Sequence, residues 1–307
     1  MRILVTGGAG FIGSHTAEQL MTDGHQVAVL DNLRSGCPSQ VPEGAEFLHM
    51  DLRDPQLPQA LARLRPQAMV HFAAQIDVRI SCRSPRFDAE ENILGTLGLI
   101  EAGLECGLER FLFASSGGAI YGEAQGPQGE DHPECPVNPY GVAKLAVDKY
   151  LHAYAVQRGL PGCSLRFANA YGPRQGTTGE AGVVAVFCRR LAQGLPPVVN
   201  GDGGQTRDFV YVADLVDGVR RALARGATGV VNLGTGRETS VLDLAQRLCR
   251  LAGMDPGRIE HRPAIAGEQR RSVLDPARAA ASLDWRPATG LDQGLAETLA
   301  WFLASHA

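Results

Sequence analysis

Lysine is almost missing from this 307-residue chain: of 29 basic residues only Lys144 and Lys149 are lysines. The 33 acidic residues leave a net charge of −4. So even a balance gives no electrostatic footprint for nucleic acid or for an acidic membrane. Cysteine is sparse as well. Cys37, Cys82, Cys106, Cys135, Cys163, Cys188 and Cys249 are odd in number and form no CxxC pair. That argues against a disulfide framework and a zinc site, and fits free thiols in a reducing cytosol. The eight histidines show neither HExxH nor paired-ligand spacing, so no metal is expected. No apolar run reaches eighteen residues, and the chain opens on the apolar strand Ile3-Leu4-Val5 without a charged n-region. A soluble, cytoplasmic protein is expected.

Hydrophobic residues make up 44% of the chain, enough for a sizeable core in one large domain or two unequal lobes. Short apolar runs at Ile3–Val5, Gln26–Leu30, Ala45–His49, Ala68–Phe72 and Phe111–Ser115 read as buried strands. Between several of them lie helix-like stretches such as Phe11–Thr22 and Asn92–Cys106. The alternation predicts βαβ units, with a parallel sheet covered by helices on both faces. A helix over Pro139–Gln157 and a strand over Gly162–Ala168 continue it. Glycine and proline then become frequent, and Val230–Leu233 reads as a strand returning to the sheet. The expected division is a cofactor domain over 1–168, with a returning segment near 228–253, and a mainly substrate-binding lobe over 169–307.

The first strand runs into Gly7-Gly8-Ala9-Gly10-Phe11-Ile12-Gly13. Gly8, Gly10 and Gly13 satisfy GxGxxG, and Gly7, Gly10 and Gly13 the related GxxGxxG. Glycine is required where the chain turns tightly and where backbone approaches a pyrophosphate, and the helix that follows points its N–H groups at the phosphates. The motif alone is weak and also fits a plain strand–turn–helix. Here it has the strand before it and the helix after it. Asp31 ends the second strand, where a carboxylate binds the ribose hydroxyls of NAD and repels the 2′-phosphate of NADP. Arg34 nearby complicates that preference, and a solvated strand end would also explain Asp31. Asp51-Leu52, after the third strand, is placed to meet the adenine, or else to cap a turn.

Tyr140 and Lys144 are four residues apart on the expected helix and so share a face. A free tyrosine, with a pKa of about 10, is a poor base at neutral pH. A fixed ammonium beside it lowers that value and makes the phenol competent for acid–base work. YxxxK is short enough to occur on any helix surface. The scarcity of lysine here, and the βαβ pattern before it, raise its weight.

Taken together the motifs resemble the extended short-chain dehydrogenase/reductase family, and within it the bacterial UDP-glucose 4-epimerases and related nucleotide-sugar 4-epimerases. The resemblance runs from Thr6–His15 through Asp31–Leu33, His71–Gln75, Asn92, Ser115–Gly122, Tyr140–Lys144, Leu165–Arg174 and Gly201–Val210 to Leu283–Pro287. It implies an α/β fold with a Rossmann-type doubly wound parallel sheet and a smaller C-terminal substrate-binding lobe. It implies NAD as cofactor, with Phe11, Ile12, Asn32, Leu52, Ala73, Ala74, Gln75 and Phe167 joining the glycines, Asp31, Asp51, Tyr140 and Lys144 around it, and Asn92 supporting the helix beneath. Asn169 and Arg207 would hold the nucleotide diphosphate, Val198 and Asn200 the uracil and Glu268 its ribose, with Val183 also beside the substrate. A homodimer through the helices near Asn92–Cys106 and Pro139–Gln157 is implied as well.

Three departures from the family pattern matter. Gly117 stands where Ser or Thr usually bonds the sugar 4-oxygen, so Ser116, or else Ser115 or a water, must serve. Ile265 stands where a second diphosphate-binding Arg is common, leaving Arg262 or Arg270 as substitutes. Ser272 stands where a bulky Tyr limits the sugar pocket. The reaction implied is reversible 4-epimerisation of a UDP-sugar through a 4-keto intermediate. UDP-glucuronate and UDP-N-acetylglucosamine are alternative substrates, and a dehydratase, a reductase or a non-catalytic NAD-binding sensor are alternative roles.

Overall fold

The structure, a computed structural model, describes residues 1–177, 181–265 and 269–305. The chain begins with β1 (Arg2–Thr6), α1 (Phe11–Thr22), β2 (Gln26–Asp31), β3 (Glu46–His49), α2 (Leu57–Leu64) and β4 (Ala68–His71). Short helices α3 (Val78–Arg83) and α4 (Pro85–Ala89) lead through a π-helical turn at Glu90–Leu94 into α5 (Gly95–Glu105). Next come β5 (Arg110–Ser116), α6 (Gly117–Ile120), α7 (Pro139–Arg158) and β6 (Gly162–Phe167). The remainder holds β7 (Asn169–Tyr171), α8 (Val183–Ala192), β8 (Val198–Asn200), β9 (Thr206–Arg207), β10 (Phe209–Tyr211), α9 (Val212–Arg225), β11 (Gly229–Leu233), β12 (Thr239–Ser240), α10 (Val241–Leu251), β13 (Glu260–Arg262), β14 (Arg271–Ser272), α11 (Ala277–Leu283) and α12 (Leu291–Ser305).

Seven strands pair in the order β11-β6-β5-β4-β1-β2-β3, all parallel. Side chains alternate between the faces with the strand period of two. Ile3, Val5, Val27 and Val29 pack with Ala17, Leu20, Leu215 and Val219 of α1 and α9. Leu4, Ala28 and Leu30 pack on the other face with Leu61, Leu99 and Val147 of α2, α5 and α7. Burial on both faces is why these strands read as continuous apolar runs.

From β1 the chain winds outward to β2 and β3, then returns to add β4, β5, β6 and β11 on the opposite side. The crevice beyond the carboxyl ends of β1 and β4 is therefore the switch point, where open α/β sheets take ligands. Thr6 is in register with His71 across that pair. His71 is fully buried, and its hydrogen bonds fix its tautomer. Thr96 Oγ1 donates to the Asn92 carbonyl at 2.7 Å, so at 2.8 Å it must accept from His71 Nε2–H. His71 Nδ1 then accepts from Thr6 Oγ1 at 2.6 Å, and Thr6 Oγ1 accepts from the Ala73 N–H at 3.3 Å. Burial, and secondly the charge of Lys144, push the imidazole down to about 3, so it stays neutral. It serves packing and hydrogen bonding.

A second core is built by α8, α10 and α12 against β7 and β10, around Phe187, Tyr171, Tyr211, Leu244 and Phe302. Of the returning segment β11 joins the sheet, while α10 packs on α8 and α12. Among the described residues three small sheets lie outside the main one: β7 with β10, β8 with β13, and β12-β9-β14. Among the described residues no helix is long and apolar enough to cross a membrane.

Candidate active site

The glycine turn is shaped by contacts that leave no room for side chains. Gly7 has a left-handed φ of +67°, and a Cβ there would lie 2.7 Å from the Ala73 nitrogen. A Cβ on Gly13 would lie 2.2 Å from the Gly7 carbonyl oxygen. Gly10 caps α1 without any side-chain hydrogen bond, so the amides of the first turn, at Phe11 and Ile12, are left for an anionic ligand. A dinucleotide pyrophosphate fits this cradle.

At the adenosine end, Asp31 is buried, with Oδ2 accepting from Ala9 N–H at 3.0 Å and Oδ1 from Leu33 N–H at 2.8 Å. The carboxylate thereby joins the glycine turn to the loop after β2, and each oxygen keeps a lone pair for a ribose hydroxyl. Asn32 Nδ2 donates to Asp51 Oδ2 at 2.9 Å. Hydrogen bonding from Arg53 holds Asp51 far below the usual carboxylate range. Leu52 faces Gly95, where an added Cβ would meet it at 3.5 Å. Arg34, the complication for cofactor choice, lies between two carboxylates: Nη1 is 3.0 Å from Glu91 Oε2 and Nη2 3.9 Å from Asp51 Oδ2, with the guanidinium 5.4 Å from the Phe87 ring centre.

Pro139 opens α7 and Asn138 caps it, accepting from Gly141 N–H at 2.9 Å. This brings Tyr140 and Lys144 over β5. The ammonium is buried, donates to the Ala114 carbonyl at 2.8 Å, and lies 4.5 Å from the Phe113 ring centre and 5.7 Å from that of Tyr140. Burial pushes Lys144 down to about 8 against the opposing charges of Asp148 and Asp88. The expectation that Lys144 would lower Tyr140 meets a correction. Desolvation first, and then the charge of Asp88, hold the phenol above its ordinary value, and the group pulling it down is the Ser116 hydroxyl.

Adjacent residues of β5 point to opposite faces. Ser116 therefore meets Tyr140 while Ser115 is buried on the Asp148 side. At Gly117 an added Cβ would fall 2.5 and 2.6 Å from the two methyl groups of Leu274, itself fully buried. Glycine at this position is thus enforced by a residue far away in the chain. Gly118 faces Ser272, whose Oγ would be 3.5 Å from an added Cβ.

Ala73 abuts Gly7, and Ala74 leads into Gln75, whose backbone is held at both ends by Asn92: Oδ1 accepts from Gln75 N–H and Nδ2 donates to the Gln75 carbonyl, each at 2.9 Å. Phe167 ends β6 against Phe72, ring centres 6.4 Å apart. Asn169 opens β7, donating its N–H to the Asp208 carbonyl at 2.8 Å. Arg207 lies in β9 between Thr239 and Ser272. Val183 starts α8, and Val198 and Asn200 bound β8, beside β13. Glu268 lies outside the described residues. Ile265 is 57% exposed. Arg270 is engaged with Asp202 at 3.2 Å and Arg262 sits on the exposed β13.

Several buried aspartates were not legible in the sequence, Asp208 and Asp88 among them. Asp208 accepts from Thr235 N–H and Oγ1, Gly236 N–H and Leu274 N–H, which fixes Leu274 over Gly117. Its neighbour Arg207 was the only signal. Asp88 takes the side chains of Gln75 and Asn92. No group of residues able to hold a metal occurs among the described residues.

The chain matches the model of the NAD dependent epimerase/dehydratase family over residues 3–234. It is 41% identical to the UDP-glucose 4-epimerase of Mycolicibacterium smegmatis over 98% of both chains. It superposes on the UDP-glucose 4-epimerase of Thermotoga maritima solved with UDP-glucose, at a TM-score of 0.97 and 41% identity over 100% of both chains. The Thermus thermophilus UDP-glucose 4-epimerase in complex with NAD follows at a TM-score of 0.93 and 42% identity, covering 98% of this chain and 99% of that one. The chain belongs to the NAD-dependent epimerase/dehydratase family and is an NAD-dependent, nucleotide-sugar-modifying enzyme.

The Gly117–Leu274 contact has a direct test. Gly117→Ser should destabilise the fold by about 1–3 kcal/mol, the usual range for overpacking. Leu274→Ala in the same chain should recover part of that loss, giving a non-additive double-mutant cycle in chemical denaturation. Additive losses would show that the two positions do not share this space.

Proposed function

We propose that this enzyme interconverts UDP-glucose and UDP-galactose by epimerisation at C4. The observation that carries the reading is the convergence of Tyr140, Ser116 and Lys144 at the carboxyl end of β5, on the same edge of the sheet as the glycine turn after β1. The identity of 41% to named UDP-glucose 4-epimerases supports it. Tyr140 Oη takes the proton of the sugar 4-hydroxyl, and Ser116 orients that oxygen. NAD, when bound, would supply a reversible hydride acceptor facing C4, so no net oxidation would result. The 4-keto sugar presents its other face before the return step, and Tyr140 gives the proton back to the 4-oxygen. Lys144, fixed by Ala114, keeps the ammonium charge behind the phenol. Gly7, Gly10 and Gly13 with the first turn of α1 would hold the pyrophosphate, Asp31 the adenosine ribose, and Asn169 and Arg207 the substrate diphosphate. The buried carboxylate of Asp31 at the end of β2 favours NAD over NADP, since it would repel a 2′-phosphate.

The Ser-Gly-Gly sequence at 116–118 supplies no carboxyl group to expel a 6-hydroxyl, which favours epimerisation over dehydration. A second reading, epimerisation of an N-acetylated UDP-sugar, is favoured by the small Ser272 facing Gly118. Exposed Leu94, where the π-helical turn leads into α5, and exposed Val142, Tyr150 and Val156 of α7 support self-association through this helical face. Sedimentation at twice the chain mass is expected, and a monomer at high concentration would contradict it.

Tyr140→Phe removes the proton carrier and leaves the ring. Turnover of UDP-galactose should fall about 10²–10⁴-fold, the range of a general acid–base group, while the protein keeps its NAD and its thermal midpoint. Near-normal turnover in that variant would contradict the assignment.

A further inference from the structure

Asp88 has more chemistry than a structural clamp needs. It sits on α4, which packs against α7, and is 1% exposed. Its Oδ1 accepts from Gln75 Nε2 at 2.9 Å and from Asn92 Nδ2 at 3.0 Å. Oδ2 is buried without a hydrogen-bond partner among the described residues. Burial raises the Asp88 carboxyl above its ordinary value, while the hydrogen bonds from Gln75 and Asn92 and then the charge of Lys144 pull it back down. A neutral amide could accept the same two bonds, so a carboxylate held here short of partners, with Lys144 as its charged neighbour, requires another explanation.

The groups around it supply one. Gln75 and Asn92 are neutral amides, and His71, on the adjoining strand β4, is held neutral by burial. The charged and titratable neighbours come from α7. Lys144 and Tyr140 both feel the Asp88 charge, and Asp148 is the other carboxylate acting on Lys144. A buried ammonium next to Phe113 is retained as a cation when anions lie nearby. The same anion opposes formation of a phenolate on Tyr140.

We propose that Asp88 is a positioning residue of the active centre: it clamps Gln75 of the cofactor loop and, through its charge, keeps Lys144 an ammonium and sets the pH at which Tyr140 gives up its proton. This rests on reading Tyr140 and Lys144 as the acid–base pair.

The test is Asp88→Asn in the NAD-loaded protein, since the amide keeps an acceptor for Gln75 and Asn92 and removes the charge. The phenolate of Tyr140 is titrated by ultraviolet absorbance against Tyr140→Phe. Its midpoint should move to lower pH by about one unit, the size expected for loss of a close charge. The acidic limb of kcat/KM should move in the same direction. Asp88→Glu, which keeps the charge, should stay near the parent. A midpoint that does not move overturns the proposal. Asp88→Ser makes the same charge removal if the Asn variant does not fold, and failure of both to fold assigns Asp88 to structure alone and also overturns it. The phenolate titration requires no sugar. A shifted midpoint in a protein that epimerises nothing would remove the reaction and leave the inference standing.

Discussion

The hydrogen-bonded chain through His71 holds together everything chemical in this protein. The parallel pairing of β1 with β4 brings Thr6 opposite His71. Each imidazole nitrogen then reaches one half of the site: Nδ1 toward Thr6 and the glycine turn, Nε2 toward Thr96 and the π-helical turn carrying Asn92. Asn92 in turn fixes both backbone groups of Gln75. Burial keeps the ring neutral, and of the two neutral tautomers only the one protonated on Nε2 satisfies these bonds. The switch-point crevice is therefore walled by a rigid set of backbone positions before any ligand enters.

Onto that frame α7 lowers a phenol and an ammonium into a poorly solvated space. Desolvation works against the charged form of each: Lys144 is pushed down and Tyr140 up. The buried carboxylates Asp88 and Asp148 restore the cation, and Asp88 resists the phenolate.

The sequence was most informative where backbone geometry itself dictates residue type. Gly7 and Gly13 are legible because no side chain fits between turn, helix and Ala73. The strands are legible because a sheet covered on both faces demands apolar runs, and Tyr140 with Lys144 because helical spacing puts them together. What escaped depends on contacts between distant segments. Asp88 looked like one more acidic residue in the run before Asn92, and nothing local marks it as buried beneath α7. Gly117 read as a missing hydroxyl; only the fold shows that Leu274 fills its space. The Tyr140 phenol was expected below its ordinary value and lies above it, since desolvation and Asp88 are invisible to spacing.

The most direct measurement is incubation of the purified, NAD-bearing protein with UDP-galactose, with no added oxidant or reductant, followed by chromatography of the nucleotide sugars. Formation of UDP-glucose toward a fixed ratio, reached from either side without accumulation of NADH or loss of water, is the expected result. A protein that holds NAD and an intact Tyr140 yet returns UDP-galactose unchanged would contradict the proposed substrate pair.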